Sequence, residues 1–453
     1  MNPVNVGLLG LGTVGGGTVN VLARNAEEIT RRAGRGIRIT HAAAREIKNP
    51  EDLHLDGITV TDDAFALVEN PDIQIIVELI GGYKPALDLV LRAIANGKHV
   101  VTANKALIAK HGNEIFAAAH KAGVMVAFEA AVAGGIPIIK AIREGLAGNR
   151  IQWLAGIING TGNYILTEMR DDVLGRTSAA QGRMPGAAKG RDFAEVLAEA
   201  QALGYAEADP SFDIEGIDAA HKLTILASIA FGIPLQFDKV YTEGITAIAR
   251  EDVVNAEAFG YRIKNLGIAR RTAAGIELRV HPTLIPERRL IANVDGVKNA
   301  VLVMADAVGP TLYYGAGAGA EPTASAVVAD LVDVTRALTV DPGNRVPHLA
   351  FQADAISDIP ILPMAEIETA YYLRLRAQDR PGVLADVTRI LGDRNISIEA
   401  ILQKEPLPGQ SEVSIILLTH VVREQQMNDA IQRIEALDSI TGKVMRIRLE
   451  TLQ

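Results

Sequence analysis

The chain contains 453 residues, of which 48% are apolar and 22% are charged, as expected of a globular protein with a substantial core. Its formal net charge of −9 argues against nonspecific attraction to nucleic acid or anionic lipid, and the absence of cysteine excludes disulfides, thiolate metal sites and cysteine nucleophiles. The length leaves room for about three domains.

The amino terminus predicts a first strand and not a signal peptide, because Met1–Gly10 lacks a basic region and a cleavage site. The longest apolar run, around Leu223–Leu235, contains glycine and proline and is too short to cross a bilayer. We therefore expect a soluble, cytoplasmic protein with no membrane or nucleic-acid partner.

A dinucleotide-binding motif follows the first strand. Val4–Leu9 is an apolar strand segment, Gly10–Gly15 has the spacing GxGxxG, and a helical pattern continues to about Arg32. The motif alone is a weak signal, but a strand before it and a helix after it are typical of a Rossmann fold, in which backbone N–H groups bind a pyrophosphate. A glycine-rich turn in another α/β protein is the alternative. The pattern predicts cofactor-binding residues Gly10, Gly12, Thr13, Val14 and Gly15.

The end of the second predicted strand, Ile37–Ala44, bears on the choice between NAD and NADP. An acidic residue there usually binds the ribose 2′-hydroxyl of NAD, whereas Arg45 suits a 2′-phosphate. Glu46 follows directly and weakens the distinction. We expect NADP to be favoured over NAD, with a solvated arginine at a strand end as the alternative.

Lys105 lies just past the carboxyl end of another predicted strand. The apolar runs Ile73–Ile80 and His99–Thr102 are typical of parallel strands, and Pro85 opens the helix between them. Because ligands bind at the carboxyl ends of such strands, Lys105 is a candidate ligand-binding residue. A surface lysine is the alternative.

The next segments alternate between strands and loops. Gly123–Glu129 and Trp153–Ile158 are predicted strands, and Asn159–Tyr164 is a polar turn between apolar segments. The stretch 171–190 is rich in glycine, alanine, serine and arginine, which predicts a mobile loop. It is either a surface insertion or a lid.

The most informative stretch, 204–226, places five carboxylates before and within a largely apolar helix predicted over 217–231. A helix that is apolar on nearly every side belongs in the interior, and Asp218 and Lys222 place their charged groups on one of its faces. Buried charges are costly unless they are paired, so the pattern predicts a pocket for a cationic, hydroxyl-bearing small molecule and a group that moves a proton. A surface ion pair at a helix N-terminus is the alternative. The carboxylates are Glu207, Asp209, Asp213, Glu215 and Asp218.

The carboxyl-terminal third begins with strand-forming sequence after Arg279, including 301–315. Glu321–Leu338 is a predicted helix, with Thr323 as its cap, that returns to the first domain. Residues 340–368 are rich in proline and turns and predict a linker.

Together these motifs resemble the homoserine dehydrogenase family over about 1–350. The resemblance includes the glycine motif, Thr102–Lys105, Phe128–Pro137, Ile157–Asn163, Gly204–Pro210, the pair Asp218 and Lys222, and Tyr313–Ser325. It implies that L-homoserine and NAD(P)+ are interconverted with L-aspartate 4-semialdehyde and NAD(P)H, in threonine, methionine and isoleucine biosynthesis.

The resemblance also implies roles for particular residues. Lys222 would transfer the proton, and Lys105 would lie between cofactor and substrate. The substrate ligands would be Glu207, Asp213 and Asp218, and Gly315 would contact the cofactor. A monovalent cation, Na+ or K+, would bind at Glu129, Val132, Gly134 and Ile136.

The last 85 residues have a β-α-β-β-α-β order, the ferredoxin-like plan. This order and the turn Asp379–Leu384 resemble an ACT domain, which implies feedback control, with threonine as the expected effector; an assembly-only domain is the alternative. Because the linker separates this domain from every catalytic motif, truncation after about Asp358 is expected to leave an active dehydrogenase that no longer responds to threonine, provided that the ACT domain is not also the main oligomer contact.

The sequence thus predicts an α/β protein with three domains. The family's dimerisation region implies an assembly of two or four identical chains. A dehydrogenase for another amino acid, or a nucleotide-sensing protein without activity, is the competing interpretation. The expected boundaries are 1–135 for the Rossmann domain, completed by about 320–340, 136–319 for the α+β catalytic and dimerisation domain, 340–368 for the linker and 369–453 for the ACT domain.

Overall fold

The computed structural model describes residues 2–47, 50–174, 191–403 and 411–453. The chain forms two compact units. The first comprises Met1–Gly160, Asp218–Val240 and Lys298–Ile359, and the second Thr161–Ile217, Tyr241–Val297 and Pro360–Gln453. In the described ranges, no helix is long and apolar enough to cross a membrane.

A six-stranded parallel sheet organises the first unit, with strand order β3-β2-β1-β4-β5-β6. The order reverses beside β1, which is where a doubly wound sheet opens a crevice for a ligand. Its central strands are buried along their length, as expected of parallel strands covered by helices. The strands are β1 (Val4–Leu9), β2 (Ile37–Ala43), β3 (Thr59–Thr61), β4 (Ile75–Glu78), β5 (His99–Thr102) and β6 (Val126–Ala127).

Helices flank this sheet, and a last helix returns to it from far along the chain. They are α1 (Thr13–Arg24), α2 (Ala26–Ala33), α3 (Ala64–Glu69), α4 (Ala86–Ala95), α5 (Lys105–Ala122) and α12 (Ala320–Ala337). Gly17 of α1 approaches the start of α12 so closely that an added Cβ would lie 2.6 Å from the Ala320 carbonyl oxygen. Helix α12 therefore packs closely against α1.

The remainder of the first unit holds the short helix α6 (Ile138–Lys140), the long helix α10 (Ile217–Phe231) and an antiparallel group of three strands. Strand β11 pairs on one side with β7 and on the other with β12. These strands are β7 (Ile151–Ile157), β11 (Lys298–Ala305) and β12 (Gly309–Ala316).

Three local predictions differ from the structure. The helix predicted to run to Arg32 is two helices that meet at Asn25, and the polar turn at Asn159–Tyr164 is the start of a helix, α7 (Gly160–Val173). Thr323 lies inside α12, whose N-cap is Gly319. Most of the predicted insertion at 171–190 lies outside the described residues.

The second unit is built around two long strands and the carboxyl-terminal domain. Strands β9 (Tyr261–Arg271) and β10 (Ile276–Pro286) form an antiparallel hairpin, and β10 is buried throughout. Its short elements are β8 (Tyr241–Thr242), α8 (Phe193–Ala202), α9 (Ser211–Ile214) and α11 (Arg250–Ala258).

The carboxyl-terminal domain has the predicted β-α-β-β-α-β order, with one extra two-residue strand, β16. Its last strand, β17, pairs with β13 inside the domain and also runs parallel to β10, through Thr283↔Arg448 and Leu284↔Leu449. The domain's sheet therefore continues directly into the β9–β10 hairpin. Its elements are β13 (Glu368–Gln378), α13 (Val383–Gly392), β14 (Ile398–Gln403), β15 (Glu412–Thr419), β16 (Val422–Arg423), α14 (Glu424–Glu435) and β17 (Met445–Leu449).

Buried ion pairs reinforce this continuation. Arg279 on β10 lies 2.5 Å from Glu450, directly after β17, and 2.9 Å from Glu277. Arg448 on β17 pairs with Glu424 at 2.5 Å and with Glu243 at 2.8 Å. Because both arginine side chains are almost fully buried, removing one partner would leave an uncompensated charge in the interior.

Candidate active site

Asp218 holds two lysines in the first unit. Lys222 Nζ lies 2.6 Å from Asp218 Oδ2, and Lys105 Nζ lies 2.8 Å from Asp218 Oδ1. The Asp218 and Lys222 side chains are only 3% and 11% exposed, whereas Lys105 is 36% exposed. One carboxylate thus joins two ammonium groups, one of them accessible to a ligand.

Local structure explains how these groups meet. Asp218 and Lys222 are four residues apart on α10, so both side chains lie on the same helix face. Lys105 begins α5 directly after β5, at the carboxyl edge of the parallel sheet, and Asn104 caps that helix. The sequence predicted both positions as candidates but not the contact between them, which depends on the fold.

Two further groups complete the cluster around Asp218. Lys222 Nζ donates to the Ile158 carbonyl oxygen at 2.7 Å, and Asn159 Nδ2 donates to Asp218 Oδ2 at 2.9 Å. Asn159 lies in the polar stretch that the sequence singled out, but its role as an Asp218 donor was not predicted. Its polar sequence between two apolar segments is the signal that pointed to this stretch.

The electrostatics of the cluster keep Asp218 ionised. Burial alone would raise the pKa of its carboxyl group, but the ammonium groups of Lys222 and Lys105 outweigh burial and hold the pKa below its ordinary value. A permanently charged carboxylate that fixes two lysine amines is suited to proton transfer beside a ligand at the sheet edge.

The glycine motif has the geometry of a pyrophosphate site. Gly10 has a positive φ of 99°, which permits the tight turn after β1. An added Cβ at Gly15 would lie 2.0 Å from the Gly10 carbonyl oxygen, whereas at Gly12 it would meet no atom within 4 Å. The turn packs tightly against its own helix and stays open at Gly12, the N-cap of α1, where an anion can approach backbone N–H groups.

The other predicted cofactor residues of the first unit lie at the start of α1 and just beyond β2. Thr13 and Val14 open α1, beside the open glycine. Arg45 lies exposed just beyond β2 and follows the strand that neighbours β1. Its side chain is therefore available to a 2′-phosphate, although a solvated strand-end arginine would look the same.

The predicted cation residues and Gly315 form one closely packed region. An added Cβ at Gly134 would lie 2.6 Å from the Gly317 carbonyl oxygen, and at Gly315 it would lie 3.1 Å from Ile136. The Glu129 carboxylate accepts the N–H groups of Ile139 and Lys140 at 2.9 and 2.8 Å. Because backbone amides engage both carboxylate oxygens, carbonyl oxygens are the groups in this segment better suited to a cation.

The remaining predicted substrate ligands belong to the second unit. Asp213 is half-buried on α9 and accepts a hydrogen bond from Thr161 Oγ1 at 3.1 Å. The Tyr205 carbonyl oxygen lies 2.7 Å from the same hydroxyl, whose single proton the two acceptors share. Glu207 is exposed, two residues along the same segment from Tyr205. Thr161 thus fixes the backbone around Glu207 to the segment that carries Asp213.

A doubly wound parallel sheet with an open glycine turn, together with a lysine–carboxylate cluster at its edge, defines an NAD(P)-dependent oxidoreductase. Family models extend this conclusion: "Homoserine dehydrogenase, NAD binding domain" matches residues 10–129, "Homoserine dehydrogenase" matches 137–332 and "ACT domain" matches 371–439. The chain belongs to the homoserine dehydrogenase family.

Individual relatives match most or all of the chain. A homoserine dehydrogenase from Pseudomonas aeruginosa is 66% identical over 452 residues, covering 100% of both chains, and one from Bacillus subtilis is 35% identical over 452 residues, covering 99% of both. The crystal structure of a homoserine dehydrogenase from Thiobacillus denitrificans has a TM-score of 0.92 at 68% identity, covering 100% of this chain and 99% of that one. A hyperthermophilic archaeal homoserine dehydrogenase in complex with NADPH has a TM-score of 0.59 at 25% identity, covering 74% and 98%.

Proposed function

We propose that this homoserine dehydrogenase interconverts L-homoserine and L-aspartate 4-semialdehyde, in the pathway to threonine, methionine and isoleucine, with Lys222 as the acid/base. The observation that carries the proposal is the buried pairing of Asp218 with Lys222 and Lys105 at the carboxyl edge of the parallel sheet. When bound, the nicotinamide accepts the hydride that leaves C4 of homoserine.

Lys222 handles the proton of this reaction. In the oxidation, the Lys222 ammonium first releases its proton to solvent, and the neutral amine then takes the hydroxyl proton as C4 loses hydride; in the reduction the ammonium gives a proton to the aldehyde oxygen. Asp218 and the Ile158 carbonyl oxygen fix Lys222 Nζ, so the amine does not have to be ordered when substrate binds. The more exposed Lys105 contacts the substrate oxygen from the cofactor side.

Substrate recognition is assigned to three carboxylates by the family resemblance. The homoserine ammonium needs negative partners, which Glu207 and Asp213 supply, while Asp218 contributes through the lysines it holds. In this proposal Asp218 is first a partner of Lys105 and Lys222 and only second a substrate ligand, because two lysines and an asparagine already contact its carboxylate.

The cofactor assignment favours NADP over NAD because of the exposed Arg45 past β2. A guanidinium can make charge-assisted hydrogen bonds to a 2′-phosphate that it cannot make to a hydroxyl. The glycine turn at Gly10–Gly15 would bind the pyrophosphate of either cofactor, and Gly315 would supply a further cofactor contact.

A monovalent cation, Na+ or K+, fits the segment from Glu129 to Ile136. Ala133 and Gly134 have positive φ values of 55° and 48°, so the backbone turns sharply within a buried segment. Hard monovalent cations bind oxygen, and the proposed ligands are backbone carbonyl groups of Glu129, Val132, Gly134 and Ile136. The cation would stabilise the turn that packs against Gly315 and Gly317.

The ACT domain is assigned a regulatory role, with threonine as the effector and a homodimer or homotetramer as the assembly. An amino acid that binds this domain would act on the sheet that joins β17 to β10. The proposed domain boundaries are those expected from the sequence.

Steady-state rates with L-homoserine test the function directly. We expect NAD(P)H absorbance to appear with both cofactors, a higher kcat/KM with NADP, and a lower rate when threonine is present. Absence of homoserine-dependent NAD(P)H formation in the folded protein would contradict the proposed reaction, while an unchanged rate with threonine would contradict only the regulatory assignment.

A further inference from the structure

A buried hydrogen-bond network begins at Glu78, a residue that the proposed mechanism does not use. Glu78 ends β4 and its residue is fully buried. Its Oε1 accepts the N–H groups of Ile80 and Gly81 at 2.9 and 3.1 Å, and its Oε2 accepts the Thr102 hydroxyl at 2.7 Å. The carboxylate therefore fixes the loop after β4 to the end of β5.

The same loop also forms hydrogen bonds with the two residues that directly precede Lys105 and Lys222 in the sequence. Asn104 Nδ2 donates to the Gly82 carbonyl oxygen at 2.7 Å, and Asn104 is followed by Lys105. The Tyr83 hydroxyl and His221 Nε2 share a hydrogen bond at 3.3 Å, and His221 is followed by Lys222. One short loop thus contacts the backbone neighbours of both groups that pair with Asp218.

Aromatic contacts keep the Tyr83 ring in place independently of its hydroxyl. The His221 ring stacks on Phe237 with centroids 4.1 Å apart and planes within 4°. Lys110 Nζ lies 5.5 Å from the centre of the Tyr83 ring and 5.1 Å from that of Phe237. His111 meets the Tyr83 ring edge-on at 5.7 Å. Removal of the hydroxyl should therefore leave the ring where it is.

We infer that Tyr83 is a positioning residue for proton transfer: its hydroxyl, through His221, holds the start of α10 in the register that places Lys222 and Asp218 against Lys105. This inference rests on the proposed role of Lys222. His221 is buried within the first turns of α10 and stacks on Phe237, so its ring couples the Tyr83 hydroxyl to the helix that carries both charged groups. The Glu78 network supplies the fixed frame against which the Tyr83 loop is held.

The test is Tyr83→Phe, which deletes only the hydroxyl, with Tyr261→Phe as the matched control. Tyr261 begins β9 in the second unit and has no assigned role. Loss of one neutral hydrogen bond predicts a fall in kcat of about 3- to 10-fold in Tyr83→Phe, with the cofactor KM and the melting temperature close to wild type. Tyr261→Phe should keep wild-type kcat.

A double-variant cycle distinguishes positioning from general structure. If Tyr83 acts through Lys222, Tyr83→Phe should change kcat less than about 2-fold in a Lys222→Ala background, because the group it positions is gone. An equal fall in kcat in both backgrounds, or wild-type kcat in Tyr83→Phe alone, would overturn the inference. Near-wild-type kcat in Lys222→Ala alone would instead overturn the proposed mechanism, so the two failures are separable.

Discussion

At the scale of single residues, the site depends on one buried carboxylate with two cationic partners. The sequence predicted the pair Asp218 and Lys222 from their helical spacing and predicted Lys105 from its place after a strand. It could not predict that Lys105 reaches the same carboxylate, because the two residues lie more than a hundred positions apart and meet only in the folded chain. Asn159 was missed as a partner for the same reason.

Asp218→Asn should impair both activity and stability, because it keeps the side-chain shape but removes the charge that Lys222 faces in the interior. We expect kcat/KM for homoserine to fall by about 10²-fold or more, and the free energy of unfolding to fall by roughly 3–5 kcal/mol, the usual cost of breaking a buried ion pair. The measurements are steady-state kinetics and urea unfolding. The exposed Asp88→Asn on α4 is the control, and equal behaviour of the two variants would contradict the account.

Arg45→Ala should reduce the preference for NADP. Its exposed guanidinium can bind a 2′-phosphate by charge-assisted hydrogen bonds, each worth about 1.5–3 kcal/mol. We expect kcat/KM with NADP to fall by about tenfold or more and kcat/KM with NAD to stay near wild type. If the ratio of the two values does not move, Arg45 is a solvated strand end.

Asp330 on α12 predicts a pH dependence of stability. Burial and the neighbouring Glu129 carboxyl raise the pKa of Asp330 to about 7, whereas an unfolded aspartate titrates near pH 4. Between these values the native state holds a proton that the unfolded state lacks, so this stabilising contribution is lost as pH rises through about 7. The Asp330→Asn side chain cannot lose a proton. Its free energy of unfolding, measured in urea and compared with that of the wild type, should therefore be relatively higher at pH 8.5 than at pH 5.5. A constant difference at both pH values would contradict the assignment.

At the scale of secondary-structure elements, the pairing of β17 with β10 changes what the sequence implied about the ACT domain. The proline-rich segment at 340–368 has the composition of a linker, which suggested a separable module. The sequence predicts strand-forming segments in the regions of β10 and β17, but it does not predict that the two strands are neighbours. No local pattern encodes a pairing between strands more than 150 residues apart.

Truncation after Asp358 should therefore destabilise the rest of the chain. It would expose the edge of the buried strand β10. It would also leave Arg279 without Glu450 and Glu243 without Arg448. We expect low soluble yield, or a melting temperature lowered by more than about 5 °C, as measured by differential scanning calorimetry. A soluble truncated chain with the wild-type melting temperature would show that the sheet continuation contributes little.

At the scale of the whole molecule, the chain's overall plan was accessible from sequence to a considerable extent. Three features could be recognised because each depends on residues that are close together in the sequence. They are the GxGxxG motif after an apolar strand, the apolar parallel strands and the terminal β-α-β-β-α-β order. The division into two units was not accessible, because both units are assembled from segments that alternate along the chain. Helix α12 illustrates this, since it follows the catalytic segments yet packs on α1.

The central claim is that Lys222 transfers the proton and does not merely neutralise Asp218. Lys222→Arg separates these roles, because arginine keeps the positive charge but cannot be deprotonated under assay conditions. The decisive measurement is kcat for homoserine oxidation in Lys222→Arg beside Lys222→Ala. The account predicts a fall of about 10²-fold or more in both variants, with an unchanged cofactor KM. A folded Lys222→Arg enzyme with near-wild-type kcat would contradict it.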